Sequence, residues 1–292
     1  MIASFLSYLR YERNRSELTV QRYAKSLKNF EAYFKSQDAA LDWKVVDADM
    51  IRNWAESLMD NGHKAASINA DLAALRTFFR FALSRGLVDK DPAYLVTGPK
   101  KEKPLPQFVK EGELDELLDK EQWGDNYKDV RARTIILLFY ETGIRRSELV
   151  GLDDKDVDLS MKQLKVTGKR SKQRIVPFGD ELAEELQHYR EVRDEQVARQ
   201  SDAFFLTEKG DRLTAGVVYG EVRKHLSRVT AMKKRSPHVL RHSFATAMLN
   251  HGAGLESVKK LLGHESLETT EIYTHTTFEQ LQRVYKDAHP RG

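Results

Sequence analysis

Apolar residues recur every three or four positions through most of this chain, the spacing of helices that bury one face. Phe5, Leu6, Tyr8 and Leu9 predict a first helix. A second follows Ser16-Glu17-Leu18-Thr19, with Thr19 as its expected N-cap and Tyr23, Leu27, Phe30 and Phe34 along one side. Asp47 or Asp49 caps a third, which runs through Met59 and stops at Asn61-Gly62, a pair suited to a left-handed turn. Ser67 is the expected cap of a fourth, whose stripe is Ile68, Leu72, Leu75, Phe78, Phe79 and Leu83.

The periodicity then breaks. Gly98-Pro99-Lys100-Lys101-Glu102-Lys103-Pro104-Leu105-Pro106 suits neither helix nor strand and reads as a solvated linker. The expected organisation is a four-helix unit over 1–98, a linker over 99–107 and a second unit over 108–292. The second unit opens with a helix after Lys110-Glu111-Gly112-Glu113, followed by a core helix marked by the apolar run Thr134 to Tyr140. Gln163–Thr167 and Arg174–Pro177 alternate as strands around the polar Gly168-Lys169-Arg170-Ser171-Lys172-Gln173, which predicts an antiparallel hairpin with a basic tip. The remainder reads as helices over Asp180–Arg199, Thr214–Ser227, Ser236–His251, Leu255–Leu262 and from Leu267 onward, with Phe204-Phe205-Leu206 as a short strand. The fold class is mainly α with one small antiparallel sheet.

Composition narrows the function. Of 292 residues 40% are hydrophobic and 32% charged, and the net charge of +4 points only weakly to an anionic partner. The distribution is more telling: Lys100–Lys103, Lys169–Arg174 and Lys233-Lys234-Arg235 are local basic clusters. No cysteine is present, so disulfides, thiolate metal sites and cysteine nucleophiles are excluded. The N-terminus reaches charge too early for a signal peptide, and no apolar run approaches the ~20 residues that span a bilayer. The expectation is a cytoplasmic protein without a membrane partner.

The candidate chemistry is spread over separate segments in a fixed order. Thr142-Gly143-Ile144-Arg145-Arg146-Ser147-Glu148-Leu149 places an arginine just past the end of the apolar helix. Ser236-Pro237 is a natural helix start, which puts His238 and Arg241, three apart, on one face of the first turn beside the positive end of the helix dipole. Gly263 ends a short helix immediately before His264, and Tyr273-Thr274-His275 follows. Guanidinium groups are permanently charged and donate paired hydrogen bonds to phosphate. A tyrosine beside such charge can act as a nucleophile, and histidines or a hairpin lysine can move the protons. This set can attack a phosphodiester without a metal ion.

These segments resemble those of the tyrosine recombinases of the phage-integrase and Xer type. Thr142–Leu149 resembles the family's first arginine box, Gly168–Pro177 its lysine hairpin, and His238-Val239-Leu240-Arg241-His242 its H-x-x-R box. Leu261-Leu262-Gly263-His264 with Tyr273-Thr274-His275 resembles its second histidine and nucleophile. The resemblance implies an N-terminal core-binding (SAM-like) domain and a helical catalytic domain. It implies that Arg145 and Arg241 clamp the phosphate, that Lys169 is the general acid, and that His238 and His264 assist. Tyr273 would form a 3′-phosphotyrosyl link. Arg170-Ser171 departs from the glycine and small polar residue usual at the hairpin tip, which leaves Lys172 as a rival to Lys169. Arg146 stands where the family has an apolar or small residue and is an added candidate DNA contact.

Further candidate DNA contacts are Arg22 and Lys25 on the second helix, Asn69 and Arg76 on the fourth, and Lys172 and Arg174 in the hairpin. The partners implied are double-stranded DNA and further recombinase copies, as a homo- or hetero-tetramer on two DNA sites, with no small-molecule cofactor. The amphipathic tail Thr277–Tyr285 is expected to dock on a neighbouring protomer; the alternative is a helix docked in cis. His238 and His242 are four apart, but without a His-Glu-x-x-His pattern no metal site is expected. Arg145 taken alone reads as an ion-pair partner for Glu141 or Glu148. A type IB topoisomerase or a non-catalytic DNA-binding protein would share the fold; the Xer-like first domain and the complete residue set argue against each.

Overall fold

The computed structural model describes residues 1–101, 107–168, 172–263 and 275–291, with the side chains of 275–279 left aside. Two compact units divide the chain, Met1–Pro104 and Leu105–Gly292.

In the first unit, α1 (Ile2–Ser7) continues as a π-helical turn over Tyr8–Glu12, followed by α2 (Glu17–Gln37), α3 (Ala48–Asp60) and α4 (Ala65–Ser84). Their apolar faces meet in an aromatic core in which Phe5, Phe30, Phe34, Phe78 and Phe79 are wholly buried. Trp43 packs at its centre, 4.5 Å from the ring of Phe78 and 5.3 Å from that of Phe34. The caps differ in two places from the sequence expectation. α2 starts earlier, because Ser16 rather than Thr19 is the cap: its Oγ accepts from Thr19 N at 3.3 Å. α4 starts at Ala65 after Lys64, so Ser67 lies inside the first turn. Asp47 caps α3 as anticipated, accepting from Met50 N at 2.8 Å.

The second unit is built on α6 (Tyr127–Thr142), in which every residue from Val130 to Thr142 is buried. The apolar run Thr134–Tyr140 marked only its second half. The first half is buried because its cations are matched: Arg131 pairs with Glu221 and donates to Leu206 O, while Arg133 pairs with Glu185 and donates to Leu118 O. Around α6 lie α5 (Glu111–Leu118), α7 (Arg146–Val150), α8 (Asp180–Gln196), α9 (Ala215–Val229), α10 (Pro237–Asn250), α11 (Leu255–Leu262) and α12 (His275–Ala288). The sheet has three antiparallel strands in the order β1 (Val157–Asp158), β2 (Gln163–Thr167) and β3 (Gln173–Pro177), with Leu164 opposite Val176 and Thr167 opposite Gln173. β1 was not foreseen, and Phe204–Leu206 is not a strand: only isolated bridges pair Asp153 with Ala203 and Leu206 with Arg212. Helix from Leu267 to Thr274 falls outside the described residues; the described helix begins at His275. Among the described residues no helix is long and apolar enough to cross a membrane.

α12 docks in cis. Leu281, Tyr285 and Ala288 are buried against Phe244 and Met248 of α10 and Leu261 and Leu262 of α11. In this single chain the apolar stripe of the tail packs on a matching face of its own unit, the second of the two arrangements expected from the sequence. The Tyr285 hydroxyl donates to Glu141 Oε2 at 2.9 Å, and the backbone N–H of Gly179 donates to the same oxygen at 3.2 Å. Arg291 closes the end with ion pairs to Glu181 and Asp115.

Phe78→Ala should leave a cavity at the centre of the first core and cost about 3–5 kcal/mol, read as a lower urea midpoint of the full chain by tryptophan fluorescence. Burial pushes the Glu141 carboxyl up to about 8, with the Tyr285 and Gly179 hydrogen bonds pulling the other way. The native chain therefore holds a proton that the unfolded chain releases near pH ~4.5, and stability contributed by this group falls as pH rises from there to about 8. Glu141→Gln keeps an acceptor for Tyr285 and removes that dependence. The difference in melting temperature, variant minus parent, should grow between pH 5 and pH 8; a constant difference would show that Glu141 is ionised in the native chain.

Candidate functional site

Two helix ends shape the site, and each ends in a glycine with left-handed backbone. α6 ends at Gly143, with φ of 57°, and α11 ends at Gly263, with φ of 63°. The two turns pack closely: a Cβ on Gly143 would lie 2.5 Å from the Phe244 ring and 2.8 Å from Leu262 Cδ2. Contacts that short exclude any side chain at 143, so both conformation and packing require glycine there. The last carbonyls of a helix lack intrahelical partners and carry its negative dipole end. Here they point at arginines.

Arg241, on the first turn of α10, is 7% exposed and donates from Nη1 to Gly143 O at 2.5 Å and from Nη2 to Leu262 O at 2.6 Å. Arg145, the residue before α7, donates from Nη2 to Gly263 O at 2.9 Å and from Nη1 to Glu148 Oε1 at 2.8 Å. The structure thus brings together arginines that stand 96 positions apart (241 − 145). Their proximity is visible electrostatically: burial, then the charges of Arg145 and Arg174, lower the Arg241 pKa to about 10, with Glu148 opposing. The group stays charged at neutral pH, in a setting that favours a bound anion.

Glu148 organises the cluster, although on sequence it was only one of two ion-pair candidates for Arg145. Its carboxylate is 1% exposed and accepts from Arg145 N at 2.7 Å, from Arg145 Nη1, and from both terminal nitrogens of Arg174, at 2.7 and 3.0 Å. Burial by itself would raise its pKa; the Arg174 pair and Arg145 outweigh burial, and the net displacement is below the usual carboxylate value. Glu141, the other candidate, lies away from Arg145, beneath Tyr285. The signal available in the sequence was the spacing: Glu148 is three residues into α7, where an acidic side chain closes a capping box on the Arg145 N–H.

His238 lies on the exposed side of the α10 first turn, with Arg241 on the inner side. Partial burial, then Arg241, His242, Lys234 and Arg146, hold its pKa below the usual imidazole value, so the ring is neutral at physiological pH. Ser236 precedes the helix as expected, yet its Oγ makes no cap bond and has no partner among the described residues. Arg146 and Lys172 are exposed, and the charge of Arg146 is felt at His238. Lys169, His264 and Tyr273 lie outside the described residues.

Three candidate DNA contacts have partners within the chain. Arg174 does not face solvent: it is 9% exposed, and its guanidinium is held by Glu148 and by Leu261 O at 3.0 Å. In the first unit Asn69 donates to Pro99 O at 2.8 Å and Arg76 to Val96 O at 2.6 Å, so both hold the segment after α4. Arg22 is exposed and paired with Asp71 at 3.1 Å, and Lys25 is exposed one turn further along α2.

Comparison with known proteins places this arrangement. Residues 107–280 match the model of the phage integrase family, and residues 2–86 that of the phage integrase N-terminal SAM-like domain. Tyrosine recombinase XerC of Chlorobaculum tepidum is 38% identical over 317 residues, covering 100% of this chain and 94% of that protein. Tyrosine recombinase XerD of Oceanobacillus iheyensis is 34% identical over 294 residues, covering 100% and 98%. Among solved structures, XerH site-specific recombinase bound to a palindromic difH substrate in a post-cleavage complex superposes with a TM-score of 0.72 at 25% identity, over 97% of this chain and 83% of that one. The Tn1549 transposon integrase in complex with circular intermediate DNA shares the fold at 19% identity, with a TM-score of 0.73 over 96% and 99%. The chain belongs to the phage integrase family, as a Xer-like tyrosine recombinase.

Proposed function

We propose that this chain is a site-specific DNA recombinase that breaks and rejoins duplex DNA through a covalent tyrosyl intermediate. The observation that carries this reading is the convergence of Arg145 and Arg241 on the carbonyls of two abutting helix ends. Displacement at a phosphodiester builds negative charge on the non-bridging oxygens, and fixed guanidinium donors lower that barrier without reorganising. Among the described residues, three guanidiniums against one carboxylate leave an excess of two positive charges in the cluster, a match for a phosphate gaining charge.

In this mechanism the Tyr273 phenolate attacks phosphorus, the phosphorus–O5′ bond breaks, and the tyrosine becomes joined to the 3′-phosphate. Lys169 protonates the departing 5′ oxygen. His238, neutral and beside Arg241, accepts or donates a hydrogen bond at the phosphate, and His264 assists from the segment after Gly263. Attack by a 5′-hydroxyl from another strand reverses the step and regenerates the phenol, so the bond energy is conserved and no nucleotide cofactor is consumed. Exchange between two duplexes calls for a tetramer of recombinase copies on two sites. DNA as the partner is supported by the XerH site-specific recombinase, a 25% identical protein whose structure holds a palindromic difH substrate. The domain roles proposed are core binding for 1–98 and catalysis for 108–292, in the cytoplasm.

Tyr273→Phe removes one oxygen atom. It should retain DNA affinity and form no covalent adduct on a nicked suicide substrate; an adduct in that variant would assign the nucleophile elsewhere. Arg241→Lys keeps the charge but cannot bridge Gly143 O, Leu262 O and a phosphate with one planar fork. Single-turnover cleavage should fall about 10²–10³-fold, and a rate near that of the parent would remove Arg241 from the clamp.

A further inference from the structure

Arg174 is the second residue of β3, opposite Val166, yet its guanidinium points inward and joins three elements. It grips both oxygens of Glu148 in α7, at 2.7 and 3.0 Å, and from Nε donates to Leu261 O at the end of α11 at 3.0 Å. Gly263 lies against its face: a Cβ there would come within 3.1 Å of Arg174 Cζ. We infer that Arg174 is a positioning residue for the phosphate clamp, holding Glu148 so that Arg145 keeps its outward-facing aim.

The carboxylate geometry shows why. Glu148 accepts from the Arg145 backbone N–H through Oε2 and from Arg145 Nη1 through Oε1, and each oxygen also takes one Arg174 nitrogen. With Arg174 supplying a full paired grip, Arg145 needs to spend only one side-chain nitrogen on Glu148. Its other terminal nitrogen is directed at Gly263 O, and the Arg145 side chain remains 29% exposed. Without Arg174, a carboxylate that is 1% exposed would have Arg145 as its principal partner and would draw that guanidinium inward into a paired grip of its own. The Leu261 bond adds a second constraint, since it fixes the α11 end immediately before Gly263, the other carbonyl that aims Arg145. Arg174 thus acts on the reacting phosphate only through Arg145 and makes no contact with it.

This inference rests on the reading of Arg145 as part of the phosphate clamp, and the test separates the two. The full chain is compared with Arg174→Gln, Arg174→Lys, Glu148→Gln/Arg174→Gln and Arg145→Ala. Each is assayed for single-turnover cleavage of a nicked suicide duplex across a pH series, for affinity to the intact duplex, and for melting temperature. A misaimed donor lowers the chemical step, so Arg174→Gln should cleave about 10- to 100-fold more slowly. Its duplex affinity should stay within about threefold, because a buried residue gives no phosphate contact. In that variant the charges still facing Glu148, among the described residues, are Arg145 at the start of its own helix and Arg241 on α10. Glu148 then takes up a proton more readily, and cleavage should drop on acidification along a limb that the parent lacks. The limb should disappear in the double variant, which has no carboxylate at 148, and in Arg174→Lys, which restores a charge there but not the paired grip, so that its rate recovers only in part. Parental rate and pH profile in Arg174→Gln, with Arg145→Ala inactive, would overturn the inference alone. Normal cleavage by Arg145→Ala would overturn the clamp reading itself. Parallel loss of affinity and cleavage in a thermally stable Arg174→Gln would make Arg174 a DNA contact and also overturn the inference.

Discussion

Three guanidinium groups held in one cluster repel one another, and the second unit is arranged to make that repulsion tolerable. Among the described residues, Arg145, Arg174 and Arg241 share a single carboxylate, Glu148, which is itself inaccessible to water. The remaining compensation comes from backbone carbonyls: Gly143 at the end of α6, and Leu261, Leu262 and Gly263 at the end of α11. These oxygens are unpaired by the helix and carry its negative pole, so they stabilise cations without adding a formal negative charge. A second carboxylate in their place would neutralise the site and weaken its hold on a phosphate. Carbonyl compensation leaves the excess positive charge in place.

That arrangement explains the division between what the sequence revealed and what it concealed. The apolar stripes of α2, α3 and α4 report a packed face directly, and so did the break after Gly98. Capping was legible where the capping residue had no competitor, as at Asp47, and misread where Ser16 and Thr19 both qualified within one turn. The arginines of the site were visible because motif and helix-start geometry coincide at Ser236-Pro237. Arg174 was read as a surface contact because its segment is basic and polar. Only tertiary packing shows that β3 turns this one side chain inward, onto a carboxylate contributed by another element. The first half of α6 escaped for the same reason: Arg131 and Arg133 look exposed until their partners Glu221 and Glu185 arrive from α9 and α8.

The C-terminal helix links this site to the rest of the unit. α12 lies on Phe244 and Leu262, the two side chains that also press on Gly143. Its apolar stripe was evident from the sequence, but an apolar stripe carries no information about which copy of the chain supplies the facing surface. Phe244, Met248, Leu261 and Leu262 supply it here. The polar group beneath it, Glu141, is kept neutral by burial and serves as an acceptor for the Tyr285 hydroxyl, so the contact is a neutral hydrogen bond rather than an ion pair.

Gly263 and Arg174 occupy the same few ångströms of space, which has a consequence for how this chain can vary over evolutionary time. A methyl group at 263 has to displace the guanidinium that faces it at 3.1 Å and adopt left-handed backbone as well. A smaller residue at 174 relieves the first obstacle but strands the carboxylate at 148. The three positions are therefore physically coupled: a change at any one of them alters the space or the charge that the other two were fitted to.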